Sequence, residues 1–273
     1  MARPKRTDTE ALRSRMRTVA LMQELARRVG ADNPNQFAKW FDEQADAATQ
    51  ESGKWRHNFN GNRPLSTQQL NWLSKLSESL DAHAMYQDGP SNLWRAMWTD
   101  PRDLWTLCRT RLRDTCANLD SPVWLSDAPL SAAHPNDRCL GDMLREFEGE
   151  LLLAEAYGVP LRLGHLTEAI ALYRLYQFTN SIARINIDGG GIYRCVRMCT
   201  DNHAVRAELD VLGVYELVVS ELAATEATHL AASPTYRASV SIAEADIDVY
   251  LQCPDILIRE SQRWEALQFD WAP

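Results

Sequence analysis

Lys54-Trp55-Arg56-His57-Asn58-Phe59-Asn60-Gly61-Asn62-Arg63-Pro64-Leu65-Ser66 is the stretch on which the reading of the fold turns. Trp55 and Phe59 stand four apart, the spacing that puts two side chains on one helical face. A short basic helix anchored by that pair turns Lys54, Arg56, His57 and Asn60 away from the core. Gly61 stops it, and Asn62-Arg63-Pro64 links it to a second helix. Ser66 caps the second helix, Gln69 closes the capping box, and Leu65 can staple to Leu70 across the entry. Leu70, Leu73, Leu76 and Leu80 then form a core-facing stripe that runs down to Tyr86.

Upstream, a helix is expected from Thr7, with Glu10 three residues on as its capping box. Its apolar stripe is Leu12, Met16, Val19, Met22 and Leu25, its other faces carry arginines, and Gly30 ends it. Asn33-Pro34-Asn35-Gln36 opens the next helix, with Asn as N-cap and Pro at the first helical position. That helix offers Phe37, Trp40 and Phe41 to the core, and Ala45 to Gly53 reads as a polar extension or loop.

Downstream, Asp88-Gly89-Pro90 is a turn. Trp94, Trp98 and Trp105 lie in an aromatic-rich helical pair broken at Asp100-Pro101, and are read first as core. Residues 119–138 hold three prolines with little periodicity and read as a linker. Helices are expected again over 139–157, 165–186, 192–207, 208–232 and 242–251, with Asp188 to Gly191 as a glycine-rich turn. Strand-like alternation is confined to Ser239–Ile242 and Ile256–Ile258. The expected fold is all-α. An N-terminal helical domain (1–118) is joined by the linker to a C-terminal helical bundle (139–273).

Composition narrows the function classes. With 45% hydrophobic and 24% charged residues over 273 positions, the chain can bury a substantial core. No apolar run approaches the roughly 18 residues of a membrane span. Met1 to Arg6 is basic but lacks the apolar stretch of a secretory signal. Six scattered cysteines without paired spacings point to a reduced, cytoplasmic setting. The net charge of −8 is unevenly spread. Residues 1–64 carry 12 Lys/Arg against 8 Asp/Glu, and the remainder 17 against 29. A basic end on an acidic body directs a polyanion to one end only.

The possible chemical motifs are thin. Cys195, Cys199 and His203 recur every four residues, so on one helix all three would share a face. Zinc usually takes four ligands and no fourth stands out, so the cysteines read as small apolar residues and no metal or other cofactor is expected. Glu146, Glu148, Glu150 and Glu155, with His165 and Glu168, lack the paired Glu-x-x-His order of a di-iron bundle and read as a solvated helical face. There is no phosphate loop, no Gly-x-Ser-x-Gly elbow, no Cys–His pair and no kinase signature, so an enzyme is not expected.

Residues 33–80 resemble the helix-turn-helix core of the lambda-repressor-like (Cro or XRE) family. Phe37-Ala38 match the leucine-alanine positions of the family's second helix. Phe59-Asn60-Gly61-Asn62-Arg63-Pro64 approximates the end of its recognition helix, and the Ser66 helix matches the one that follows. Two departures stand out: Pro34 falls where the family carries a glutamine, and Ala45 to Gly53 lengthens the turn between the helices. The resemblance implies that Lys54, Arg56, His57 and Asn60 face double-stranded DNA, with Lys39, Asn62 and Arg63 on phosphates. The expected function is that of a sequence-specific DNA-binding regulator or nucleoprotein accessory. Its acidic C-terminal region would form a homodimer or bind a protein partner. The alternative is a protein–protein adaptor, antitoxin-like or a defence-system accessory, in which the helix-turn-helix is only a scaffold.

Overall fold

Thr7 starts the first helix by exchanging hydrogen bonds with Glu10, each side chain accepting from the other's backbone N–H at 3.2 and 3.0 Å. Helix α1 (Asp8–Val29) runs to Gly30, whose φ of 68° reverses the chain without the clash a Cβ would bring. Asn33 caps α2 (Pro34–Ala45) by accepting from the backbone of Asn35 and Gln36. The Gln36 side chain takes its bond from Asp32 rather than from the cap residue. The computed structural model describes residues 7–76, 80–108, 137–183, 192–240 and 242–248. Among them every regular element is a helix, so the fold is all-α.

The apolar stripe of α1 is buried at Met16, Val19, Met22 and Leu25, but so are Thr18, Ala20, Leu21 and Ala26. One stripe suffices for a helix packed on one side. Here α2, α3 (Arg56–Phe59) and α5 (Ala82–Gln87) pack on α1, and α12 (Tyr215–Ala232) joins them. Between α3 and α5 lies α4 (Thr67–Leu76), where Ser66 and Gln69 make the anticipated box at 3.0 and 3.2 Å. The continuous helix expected down to Tyr86 is instead two, because Asp81 accepts from the Ala84 backbone and caps α5 as a separate element.

The remaining helices are α6 (Leu93–Trp98), α7 (Pro101–Leu104), α8 (Asp137–Ala156), α9 (Leu163–Ala183), α10 (Ile192–Asp201), α11 (His203–Val211) and α13 (Pro234–Ser239). Two expected helices become three because Asn202 caps a fresh one and Gly213 turns the chain before α12. Ser239 closes a helix rather than opening a strand, and the described part of the expected 242–251 helix holds a 3-10 turn at Glu244–Asp246 followed by helical Ile247 and Asp248. Ile256–Ile258, Asp188 to Gly191 and residues 119–136 of the expected linker lie outside the described residues, while Asp137 and Arg138 begin α8.

Side chains from both expected regions form one hydrophobic cluster. Helix α9 lies against α6 and α7, where Arg174 donates to the carbonyls of Ala96 and Thr99, both at 2.8 Å. Trp94 is buried and stacks on Trp98 at 4.9 Å, and half-buried Trp105 packs on the same cluster. Trp98 Nε1 donates to Glu221 of α12 at 2.7 Å. The Arg13 and Arg17 guanidinium groups of α1 lie 5.5 and 5.1 Å from the Trp98 ring. The tryptophans thus join the first half of the chain to the second.

Candidate nucleic-acid interface

Trp55, Asn58 and Phe59 point inward and are buried, while Lys54, Arg56, His57 and Asn60 around them are exposed. The inward rings sit in an aromatic nest. Phe37 meets Trp55 and Phe59 edge-on at 5.6 and 5.4 Å, and Phe41 meets Trp55 at 4.7 Å. Such edge-to-face contacts hold ring orientation as well as burying area. The basic helix is a single turn, Arg56–Phe59, entered through turn residues from Gln50 onward. At 1.5 Å per residue it is about 6 Å long, so it offers a tip rather than a rod.

The chain beyond the tip is also held. Asn58 Nδ2 donates to the Arg63 carbonyl at 2.9 Å, and Asn58 Oδ1 accepts from Gln69 Nε2 at 3.0 Å. This buried amide ties the 58–63 turn to α4, so Asn62 and Arg63 are exposed on a fixed backbone. Gly61 has a φ of 68°, and a Cβ there would lie 2.4 Å from Arg15 Cγ and 2.9 Å from Val19 Cγ2. The turn therefore rests directly on α1. It brings exposed Arg15 beside the basic segment, a cation that the local sequence pattern does not assign to it.

Six of the seven residues read from the sequence as DNA-facing thus share this one segment. The seventh, Lys39, is exposed on α2, where its ammonium stands 4.0 Å from Glu43. Lys54 lies over the Trp72 ring at 4.5 Å from its centre, a cation–π contact that keeps its charge at the surface. The lengthened turn is ordered by Asp42. Its carboxylate accepts from the Thr49 backbone at 2.8 Å, the Thr49 hydroxyl at 2.5 Å and the Gln50 backbone at 2.8 Å. Burial works against the Asp42 charge, but these bonds hold its pKa below the usual range. Thr49 Oγ1 in turn accepts from Trp55 Nε1 at 2.9 Å, so the insertion supports the tip's main anchor.

A second polar group, in the C-terminal half, is of the opposite kind. Glu226 is fully buried on α12 and accepts hydrogen bonds from the hydroxyls of Tyr173 and, at 2.9 Å, Tyr236. His229 Nδ1 stands 3.2 Å from the Tyr173 hydroxyl, and its ring stacks on Tyr236 at 3.9 Å. Burial pushes the Glu226 carboxyl up to about 7 although both tyrosines and the Arg197 charge oppose this, and burial brings His229 down to about 4. The sequence carries one sign of this cluster: Glu226 continues the four-residue spacing of buried Val218, Leu222 and Leu230.

The other candidates disperse. Cys195 and Cys199 are buried on α10, and burial pushes the Cys195 thiol up to about 12. His203 begins the next helix and is exposed, because the Asn202 cap breaks the register that would have carried it onto the same face. Among the described residues no group of three His, Cys, Asp or Glu could hold a metal ion. Glu148 pairs with Arg194 at 3.4 Å and Glu150 with His165 at 3.5 Å, while Glu168 is buried rather than on the solvated face expected for it. Among the described residues no helix is long and apolar enough to cross a membrane. Compared with protein families, characterised proteins and solved structures, the chain has no match.

Proposed function

We propose that this protein binds double-stranded DNA through the Lys54–Arg63 segment, as a transcriptional regulator or nucleoprotein accessory of the cytoplasm. The reading is carried by one observation: a run of exposed, long polar side chains on a turn whose backbone is anchored by buried Trp55, Asn58 and Phe59. Preorganised donors lose little freedom on binding, which is what a reader of base edges needs. Arg56 and Asn60 lead into the major groove, the one able to donate to guanine and the other to adenine. Lys54, Asn62 and Arg63, with Lys39 and His57 flanking, meet the backbone. A single-turn tip reaches few bases, so phosphate contacts carry most of the affinity. A homodimer, with its paired half-sites, then supplies much of the specificity. The departures from the lambda-repressor-like pattern, Pro34 and the Ala45–Gly53 insertion, leave this resemblance as support for the reading and no more.

The adaptor reading draws on a different feature. Leu153, Tyr157 and Val159 are 59, 78 and 55% exposed around the end of α8, in the acidic half of the chain. Apolar side chains left in water favour a protein contact there, either with a partner protein or in the dimer.

A mobility-shift titration at two salt concentrations separates the two. DNA binding through this segment should weaken with a log–log salt slope of about −0.9 for each phosphate neutralised. Lys54→Ala with Arg56→Ala should lower affinity at least tenfold. No shift at low salt by folded protein would sink the DNA reading and leave the adaptor.

A further inference from the structure

Behind the basic segment, the end of α2, the loop after it and α4 enclose a half-open cavity of about 240 Å³. Phe41, Trp72 and Leu76 form its apolar walls, and Ala45 and Ala47 leave it open on one side. We propose that this cavity is a binding site for a small planar aromatic anion.

The chemistry of the walls selects the ligand. The hydroxyl of Thr49, the polar group that reaches the cavity beside Lys75, already donates to Asp42 and accepts from Trp55. The interior therefore asks for an apolar body. Phe41 and Trp72 stand 6.2 Å apart between ring centres at an interplanar angle of 50°, walls suited to a flat ring system. An apolar cavity of about 150 Å³ takes benzene, so the larger volume here suits a bicyclic ring, yet lies below the roughly 300 Å³ at which drug-sized sites begin. Lys75 is the cation at the cavity, while the nearby Asp42 carboxylate is taken up by hydrogen bonds from Thr49 and Gln50. Lys75 lines the cavity and is exposed, Lys54 lies over Trp72, and no carboxylate is among the lining residues.

An occupant pressed against Trp72 also acts on Lys54, so occupancy is expected to change affinity for DNA. That second consequence rests on the DNA-binding reading, and the site itself does not, so binding is measured first without DNA. The probes are indole-3-acetate and neutral indole, titrated into the full chain by calorimetry. The expected result is saturable one-to-one binding of indole-3-acetate, weakened at least tenfold by Ala45→Leu, which fills the cavity from an exposed position. Ala47→Leu, also exposed, provides the same obstruction should the first variant not fold. Lys75→Gln should weaken the acid at least threefold and leave indole unchanged. No saturable binding up to about 1 mM, or binding undiminished in both leucine variants, overturns the site. Equal affinity for acid and indole overturns the anionic assignment. If the ligand binds but does not alter DNA affinity, the site stands and its coupling to DNA fails.

Discussion

The Lys54–Arg63 segment and the Glu226 cluster are both polar groups set among aromatic rings, and the rings dispose of them in opposite ways. Trp55, Phe59, Phe37 and Phe41 bring almost no hydrogen-bonding demand into the core, so the charged neighbours are left outside. Tyr173 and Tyr236 each bury a hydroxyl that needs a partner, and Glu226 is drawn in to supply it. The first arrangement presents charge to a partner at little structural cost. The second spends its polar atoms on one another and makes the packing of α9, α12 and α13 specific.

Four substitutions test that contrast, and their expected effects on folding decrease in order. Trp55→Ala removes the ring on which the basic segment rests and the partner of Thr49, and should cost about 3–5 kcal/mol in chemical denaturation. A loss below about 1 kcal/mol would show that the segment is not built on that anchor.

Glu226→Gln comes next, and its signature is a pH dependence. A carboxyl raised from 4.5 to about 7 on folding contributes stability that is complete below 4.5 and is lost as pH rises through 7. That contribution amounts to about 3 kcal/mol in all. His229, lowered from 6.5 to about 4, acts oppositely: its contribution is present above 6.5 and is lost as pH falls through 4. Melting curves should therefore show the wild type losing stability relative to Glu226→Gln between pH 5 and pH 8. Parallel profiles would mean that the carboxyl is not held protonated in the fold.

Gly61→Ala should cost about 1–3 kcal/mol, from the left-handed backbone and from contact with Arg15 and Val19. It should also weaken DNA binding, since Asn62 and Arg63 come directly after the turn. Unchanged stability would mean that α1 yields easily beneath it. Lys54→Ala with Arg56→Ala stands last, within about 0.5 kcal/mol of wild type in stability. A larger loss would move these residues from display to structure and erase the distinction between the two regions.

The basic segment is legible in the sequence because its pattern is local. Trp55 and Phe59 declare the inward face, and Gly61 and Ser66 declare the stop and the restart. Arg15 is not legible as its neighbour, being 46 positions away from Gly61 and joined to it by tertiary packing. Glu226 reads in isolation as one acid on a helix, and its buried partner Tyr173 lies 53 residues earlier in the chain. Asn58 is hidden for a similar reason: it stands three residues after Trp55 on the buried side, but its partner Gln69 sits on the next helix.

Helix starts, stops and the all-α class follow from the order of residues alone, because caps, glycines and apolar spacings act within about one turn of the chain. Tertiary structure settled which polar groups are inside and how the tryptophans join the two halves. Those outcomes depend on groups far apart in sequence that compete for the same partners and the same space.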